Sequence, residues 1–207
     1  MKNSEEHRHG AAHGRGRCRR GGSSFTMHNP DDVFRELRLK TGDVFLDLGC
    51  GPGEYSMYAS GHVGESGIVH ALDRVGSHIA SLNKRADEEG ITNIQAAASD
   101  ITGPLPVDDS CVDVCLMATV LHIPGVMERA EAVCAEIRRV LKPDGRFAVI
   151  ECHKKALHFG PPEHIRLSEE EVREVMAQYG FGVLSETDLG YNYLIQFVKK
   201  DGGLQGT

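Results

Sequence analysis

Three aspartates close or follow three apolar runs: Asp47 in VFLDL, Asp73 in IVHALD and Asp100 after IQAAAS. Between the first run and the next segment, DLGCGPGEYS places glycine at 49, 51 and 53, with Cys50 and Pro52 between them. Glycine at every second position leaves one face of a turn nearly bare, so a ligand can approach the backbone without meeting a Cβ. A tight strand-to-helix turn with no ligand is the plainer alternative. Two further groups have the chemistry to move a proton, His122 in TVLHIPG and Glu151 at the end of FAVIE. Imidazole titrates near neutral pH, although a histidine there also suits a helix entry or a packing role.

The sign of the charge says what such a turn would hold. A dinucleotide turn reads G-x-G-x-x-G and cradles a pyrophosphate. Here the third glycine position is Glu54, and Pro52 lacks an N–H that a phosphate could use. Asp47 and Glu54 beside the turn repel phosphates and favour a ligand that is cationic or carries an amino group. Asp73 lies twenty residues beyond Gly53, where a strand-end carboxylate can accept from both hydroxyls of a ribose. A surface ion pair with Arg74 is its alternative role. Asp100 is placed to accept from an exocyclic amine such as that of adenine.

These residues need a frame. Val44–Leu48, Ile68–Leu72, Ile94–Ala98, Val112–Met117 and Phe147–Glu151 read as strands, and helical patterns separate most of them. Pro30 fits a first helical position with Asp31 and Asp32 behind it. Ser77 to Glu89 carries Ile79, Leu82 and Ala86 near one face. Val126–Leu141 has Met127, Ala130, Val133, Ile137 and Val140 at three- and four-residue steps. Lys142-Pro143-Asp144-Gly145 reads as a stop and a turn. Ser168 and Glu171 form a capping box ahead of another helix. Phe181–Thr187 and Tyr191–Lys199 are too close for a crossover and predict an antiparallel hairpin at one edge. Strands that alternate with helices and are apolar on both faces imply a parallel sheet covered on both sides.

At 207 residues the chain is one domain. Its formal net charge is −7; residues 1–24 hold six basic and two acidic side chains, which leaves the remainder at −11. That excess argues against nucleic acid, where Lys and Arg neutralise phosphates. No 18-residue apolar run spans a membrane, and the start lacks the apolar stretch of a secretory signal. Six cysteines without such a signal are expected to be reduced, in a cytoplasmic protein. Residues 1–24 contain no Leu, Ile, Val, Phe or Tyr, so the His/Arg/Gly-rich stretch 1–28 reads as a disordered tail. Its His7, His9 and His13 could instead bind a metal, and GRGRCRRGG a polyanion. The ordered domain is expected over 29–200, with 201–207 a flexible end.

Together these segments resemble a class I S-adenosylmethionine-dependent methyltransferase. VFLDLGCGPG resembles the first motif of that family and ALD the ribose-binding acidic position. SDITGPLPVDDSCVDVCLM resembles the run into the fourth strand, and EIRRVLKPDGRF the helix, turn and fifth strand. The resemblance covers roughly residues 30–200 and is strongest to small-molecule enzymes of the quinone- and arsenite-methylating sort. Arsenite is disfavoured, because the arsenite-methylating members use cysteines near the carboxyl end and nothing after Cys152 is cysteine.

The resemblance implies a Rossmann-like doubly wound seven-stranded sheet, ordered 3-2-1-4-5-7-6 with the last strand antiparallel and helices on both faces. It implies S-adenosylmethionine as cofactor. Asp47 with Gly49, Cys50, Gly51 and Gly53 would hold the methionyl end, Asp73 and Arg74 the ribose side, and Asp100 with Ile101 the adenine; Met117, closing the fourth-strand segment, joins the cofactor side. The acceptor would be a small molecule, since the chain has no large insertion to dock a macromolecule.

The catalytic candidates are His122 and then Glu151. The loop CHKKALHFGPPEHIR, with His153, His158 and His164, would lie over the acceptor as a lid. No tight ligand spacing marks a metal site, and none is assigned. Cys111 and Cys115 would stand about 13 Å apart on a strand, too far for one disulfide or one zinc. A nicotinamide-dependent oxidoreductase and a non-catalytic cofactor-binding module are the competing readings. Oligomeric state is left open.

Overall fold

The computed structural model of the chain describes residues 23–155 and 160–200. The expectations for the tail histidines, for the GRGRCRRGG run, for 201–207 and for His158 lie outside those residues. Seven strands form one sheet in the order β3-β2-β1-β4-β5-β7-β6. β1 (Val44–Leu48), β2 (Ile68–Asp73), β3 (Ile94–Ala98), β4 (Val112–Ala118) and β5 (Leu141–Cys152) run parallel. β7 (Asn192–Lys199) is antiparallel to both β5 and β6 (Phe181–Asp188). This is the strand order the family resemblance implies, with the edge hairpin that the residues themselves predict.

Period-two alternation divides the core between the two faces. Leu46, Cys115, Met117, Phe147 and Val149 point to one side, where α5 (Ala130–Val140) and α6 (Glu169–Gln178) add Val133, Ile137, Val172 and Met176. Phe45, Val114, Leu116, Ala148 and Ile150 point to the other, against α1 (Pro30–Leu37) and α2 (Glu54–Val63). A smaller cluster seats Ile79 and Leu82 of α3 (Gly76–Glu88) on Ala71 and Cys50. Buried on both faces, the inner strands need apolar residues throughout.

Local chemistry sets several boundaries. The Asn29 side chain accepts from Asp31 N at 3.1 Å, and Pro30 opens α1. Ser168 and Glu171 satisfy each other's backbone N–H at the start of α6. The helix expected over 126–141 is divided into α4 (Pro124–Met127) and α5, with Glu128 and Arg129 between them. The helix ends before Lys142 as expected, but Lys142-Pro143-Asp144-Gly145 is not a turn ahead of the strand. Leu141 pairs with Val112 and Arg146 with Val114, so these residues bulge out of one continuous strand. Lys142 Nζ anchors the bulge on both oxygens of Asp113, at 2.8 and 2.7 Å.

Described chain also begins earlier than Asn29. Ser24–Met27 forms a 3-10 turn capped by Ser23, whose hydroxyl accepts from Phe25 N at 3.2 Å. Part of the stretch read as tail is therefore packed, because Phe25 finds aromatic partners in Tyr55 and Tyr58. Among the described residues no helix is long and apolar enough to cross a membrane.

Candidate functional site

A cleft of about 630 Å³ opens where the carboxyl ends of β1 to β4 meet the loops that follow them. Asp47, Asp73 and Asp100 all line it, together with Gly49, Cys50, Gly51, Arg74 and Ile101. Strand order reverses between β1 and β4 here, the position at which open α/β sheets bind ligands.

The three glycines do different work. All hold positive φ, at 76°, 52° and 87°. A Cβ on Gly49 would lie 2.6 Å from Val120 Cγ2, and one on Gly53 would lie 2.5 Å from Leu82 Cδ1. Both are bare so that protein can pack against them. Gly51 alone of the three has nothing within 4 Å of where a Cβ would stand, so its bare face is open to the cleft. Gly53 is not on the cleft wall; it is the left-handed residue that starts α2. Gly53, expected on the cofactor side, packs against Leu82 instead of lining the cleft.

Asp47 is 1% exposed and accepts from Ser56 Oγ at 2.6 Å. Burial pushes its pKa up to about 7, opposed by the Ser56 hydrogen bond and reinforced by the Asp73 and Glu54 carboxylates. One buried oxygen of Glu54, Oε2, has no hydrogen-bond partner. The end of β1 thus crowds carboxyl groups together, and among the described residues no Lys or Arg forms an ion pair with Asp47 or Glu54.

Asp73 ties two turns together. Its Oδ2 accepts from Gly51 N at 2.9 Å and its Oδ1 from Val75 N at 2.8 Å. His78 Nδ1 stands 3.3 Å from Oδ1. Arg74 is exposed on the cleft rim, and the ionic neighbour of Asp73 is His78 rather than Arg74. Asp100 is exposed; its Oδ1 accepts from Thr102 N at 3.0 Å and Thr102 Oγ1 at 2.8 Å, which holds its carboxyl below the usual range. Ile101 beside it is buried.

Met117 is a correction. It is fully buried in the core on the α5 and α6 side, and the residues after it, Ala118, Thr119 and Val120, face the cleft instead. The strand continues to Ala118, and alternation sends Met117 inward. Thr119 holds φ at 56°, rare for a β-branched residue, and donates its N–H to Ile150 O at 2.7 Å.

His122 and Glu151 lie together. His122 Nδ1 is 2.8 Å from Glu151 Oε2, and His122 N donates to Oε1 at 3.2 Å. Glu151 is 1% exposed, and neither side chain is part of the cleft wall. A carboxylate on Nδ1 fixes the imidazole and leaves Nε2 as the nitrogen able to take a proton, the base–orienter pairing of acid–base sites. His153 goes elsewhere: its ring nitrogens face Glu169 at 2.8 Å and Asp188 at 3.2 Å. His164 is exposed. Among the described residues no group of three or more His, Cys, Asp or Glu is arranged to hold a metal ion.

The sequence reading missed Ser23, Ser24, Tyr55 and Thr119 as cleft residues. Tyr55 had one signal, its place two residues after the glycine turn in the first turn of α2. The serines had none, being embedded in polar, basic chain.

Residues 39–196 match a family described as "Methyltransferase domain". The demethylmenaquinone methyltransferase of Lactobacillus johnsonii is 33% identical over 120 residues, covering 57% of this chain and 47% of that protein. The 2-phytyl-1,4-naphtoquinone methyltransferase of Trichormus variabilis is 29% identical over 135 residues, covering 59% and 54%. The chain therefore spans about half the length of these curated relatives. The crystal structure of a SAM-dependent methyltransferase from Aquifex aeolicus superposes with a TM-score of 0.77 at 29% identity, covering 84% of this chain and 91% of that one.

Proposed function

The chain belongs to the methyltransferase domain family, and we propose that it moves the methyl group of S-adenosylmethionine to a small-molecule acceptor. One observation carries the reading: three aspartates, in β1, at the end of β2 and in the loop after β3, converge on one cleft whose glycine turn has a single open face. In this reading Asp47 pairs with the α-ammonium of the methionyl end, which relieves the crowding of negative charge there. Asp73 accepts from the ribose hydroxyls, and Asp100 with Ile101 takes the adenine. Free thiols at all five described cysteines fit a reducing, cytoplasmic setting.

The transfer is an in-line displacement. A lone pair of the acceptor forms the bond to the methyl carbon as the carbon–sulfur bond breaks, and the electron pair stays on sulfur, which becomes neutral. The protein's part is to align nucleophile, carbon and sulfur and to exclude water. Where the acceptor must lose a proton, His122 Nε2 is the base and Glu151 orients it. The names of the curated relatives, which refer to demethylmenaquinone and 2-phytyl-1,4-naphtoquinone, support a small organic acceptor.

Calorimetry with S-adenosylmethionine, S-adenosylhomocysteine and NADH, followed by a screen of cell extract with methyl-labelled cofactor, tests the proposal. Binding of the two sulfur compounds and label on a low-molecular-mass product are expected. Binding of NADH alone refutes it. Label recovered only on protein or nucleic acid refutes the acceptor class.

A further inference from the structure

The strand-end carboxylates do not account for Ser23–His28. Ser23 and Ser24 line the same cleft as Asp47 and Asp73, although they come from the far end of the chain from the sheet's loops. Ser24 is 2% exposed, and its Oγ lies 3.1 Å from the Tyr55 hydroxyl. That same hydroxyl lies 2.9 Å from His28 Nε2. The Phe25 ring meets Tyr55 edge-on with centroids 5.0 Å apart. One phenol therefore holds both ends of this short segment, and it stands in the first turn of α2, directly after the glycine turn.

The protonation states fit a continuous hydrogen-bond chain through the phenol. Burial lowers the His28 pKa, an effect the Asn192 side chain opposes, so the ring is neutral near pH 7. Burial raises the Tyr55 pKa, so the phenol keeps its proton. With the ring proton on Nδ1, Tyr55 O–H donates to Nε2 and accepts from the Ser24 hydroxyl; with it on Nε2 the chain runs the other way, and in both cases the phenol oxygen uses both capacities.

We propose that Ser23–His28 is a strap across the methionyl end of the cofactor cleft, and that Tyr55 is the positioning residue that latches it through Ser24 and His28. The assignment of that end rests on the cofactor reading above. With the strap latched, a ligand at Asp47 is enclosed between the glycine turn below and Ser23 and Ser24 above. Ligand exchange then requires the two Tyr55 hydrogen bonds to open, so the latch sets how long cofactor or product stays.

Tyr55→Phe removes both hydrogen bonds and keeps the aromatic contact with Phe25. Losing them leaves the buried Ser24 hydroxyl and the half-buried His28 ring without this partner, and cofactor exchange is expected to accelerate roughly tenfold. Surface plasmon resonance of the full chain with S-adenosylhomocysteine reads the dissociation rate, and Ser24→Ala, which touches only the strap side, should shift it in the same direction by a smaller factor. Dissociation within twofold of the native chain for both variants overturns the proposal. Hydrogen exchange read by mass spectrometry separates it from the cofactor reading. Added S-adenosylhomocysteine should slow exchange in peptides over 23–28 and over 49–53. Slowing at 49–53 alone refutes the strap and leaves the cofactor assignment standing; slowing at neither refutes both.

Discussion

Replacing Gly51 and Gly53 separately by alanine should divide stability from binding. Both sit at positive φ, so each alanine carries the left-handed penalty of about 1–2 kcal/mol. At Gly51 nothing lies within 4 Å of the new methyl, and the penalty ends there. At Gly53 the methyl meets Leu82 Cδ1 at 2.5 Å and Cδ2 at 2.8 Å, and Leu82 is fully buried among Ile79, Ala71 and Cys50 with little room to yield. Overpacking of that kind adds about 1–3 kcal/mol, for a total of about 2–5 kcal/mol. For a domain of this size each kcal/mol lowers Tm by about 2–4 °C. Gly51→Ala should therefore melt a few degrees low and Gly53→Ala distinctly lower. Binding should show the reverse order. The Gly51 methyl enters the open side of the cleft, and S-adenosylhomocysteine affinity should drop at least roughly tenfold, the loss of one good contact. Gly53→Ala, where folded, should bind nearly as well as the native chain. Thermal unfolding with and without ligand, checked by calorimetry, reads both quantities. Native affinity in Gly51→Ala would falsify the view that the open face of that glycine is where the cofactor lies.

Three other outcomes follow from the same geometry. The Asp47 carboxyl titrates near 7 when folded, above its ordinary value of 3.8, so the folded state holds that proton more tightly. Its stabilising contribution is intact below pH 4 and is lost as pH rises to 7, on the order of a few kcal/mol. Tm of native chain minus Tm of Asp47→Asn should fall between pH 4 and 7, and parallel curves would contradict this. If His122 is the base, His122→Gln should lower turnover by about 10²–10⁴ with cofactor affinity unchanged, and Glu151→Gln should shift the pH–rate profile; a lowered Tm with full turnover makes the pair structural. Thr119→Gly, which suits φ of 56°, should raise Tm by about 2–4 °C, and a drop in Tm would show that Thr119 is not strained.

Sequence carried the sheet well because its signals are local. The apolar runs, the Ser168–Glu171 box and the short link between the last two strands each depend on a few adjacent residues. The bulge at 142–145 was hidden because Lys-Pro-Asp-Gly has the same composition whether it is a turn ahead of a strand or a bulge within one. What decides is that Val112 and Val114 of a single neighbour pair on either side of it. The break at Glu128 and Arg129 was masked by apolar spacing that runs on through it. His122 and Glu151 were each selected for a strand-end position, but their pairing joins residues 29 apart in the chain and required the β4–β5 register. Met117 was misplaced because a strand end one residue later reverses which side chains face the cleft. Ser23–His28 escaped because two serines after a basic, glycine-rich run carry no periodicity.

The Asp73 carboxylate already cross-links the loop after β1 to the loop after β2, one amide on each oxygen. Of its four lone-pair positions the amides take two, so a sugar's two hydroxyls can be received without letting go of either amide once His78 Nδ1, 3.3 Å from Oδ1, turns aside. The two loops thus behave as a single rigid jaw. Damage to either one should be felt at both halves of whatever it grips, so tuning selectivity for the amino-acid moiety independently of the nucleoside would first require cutting that tie.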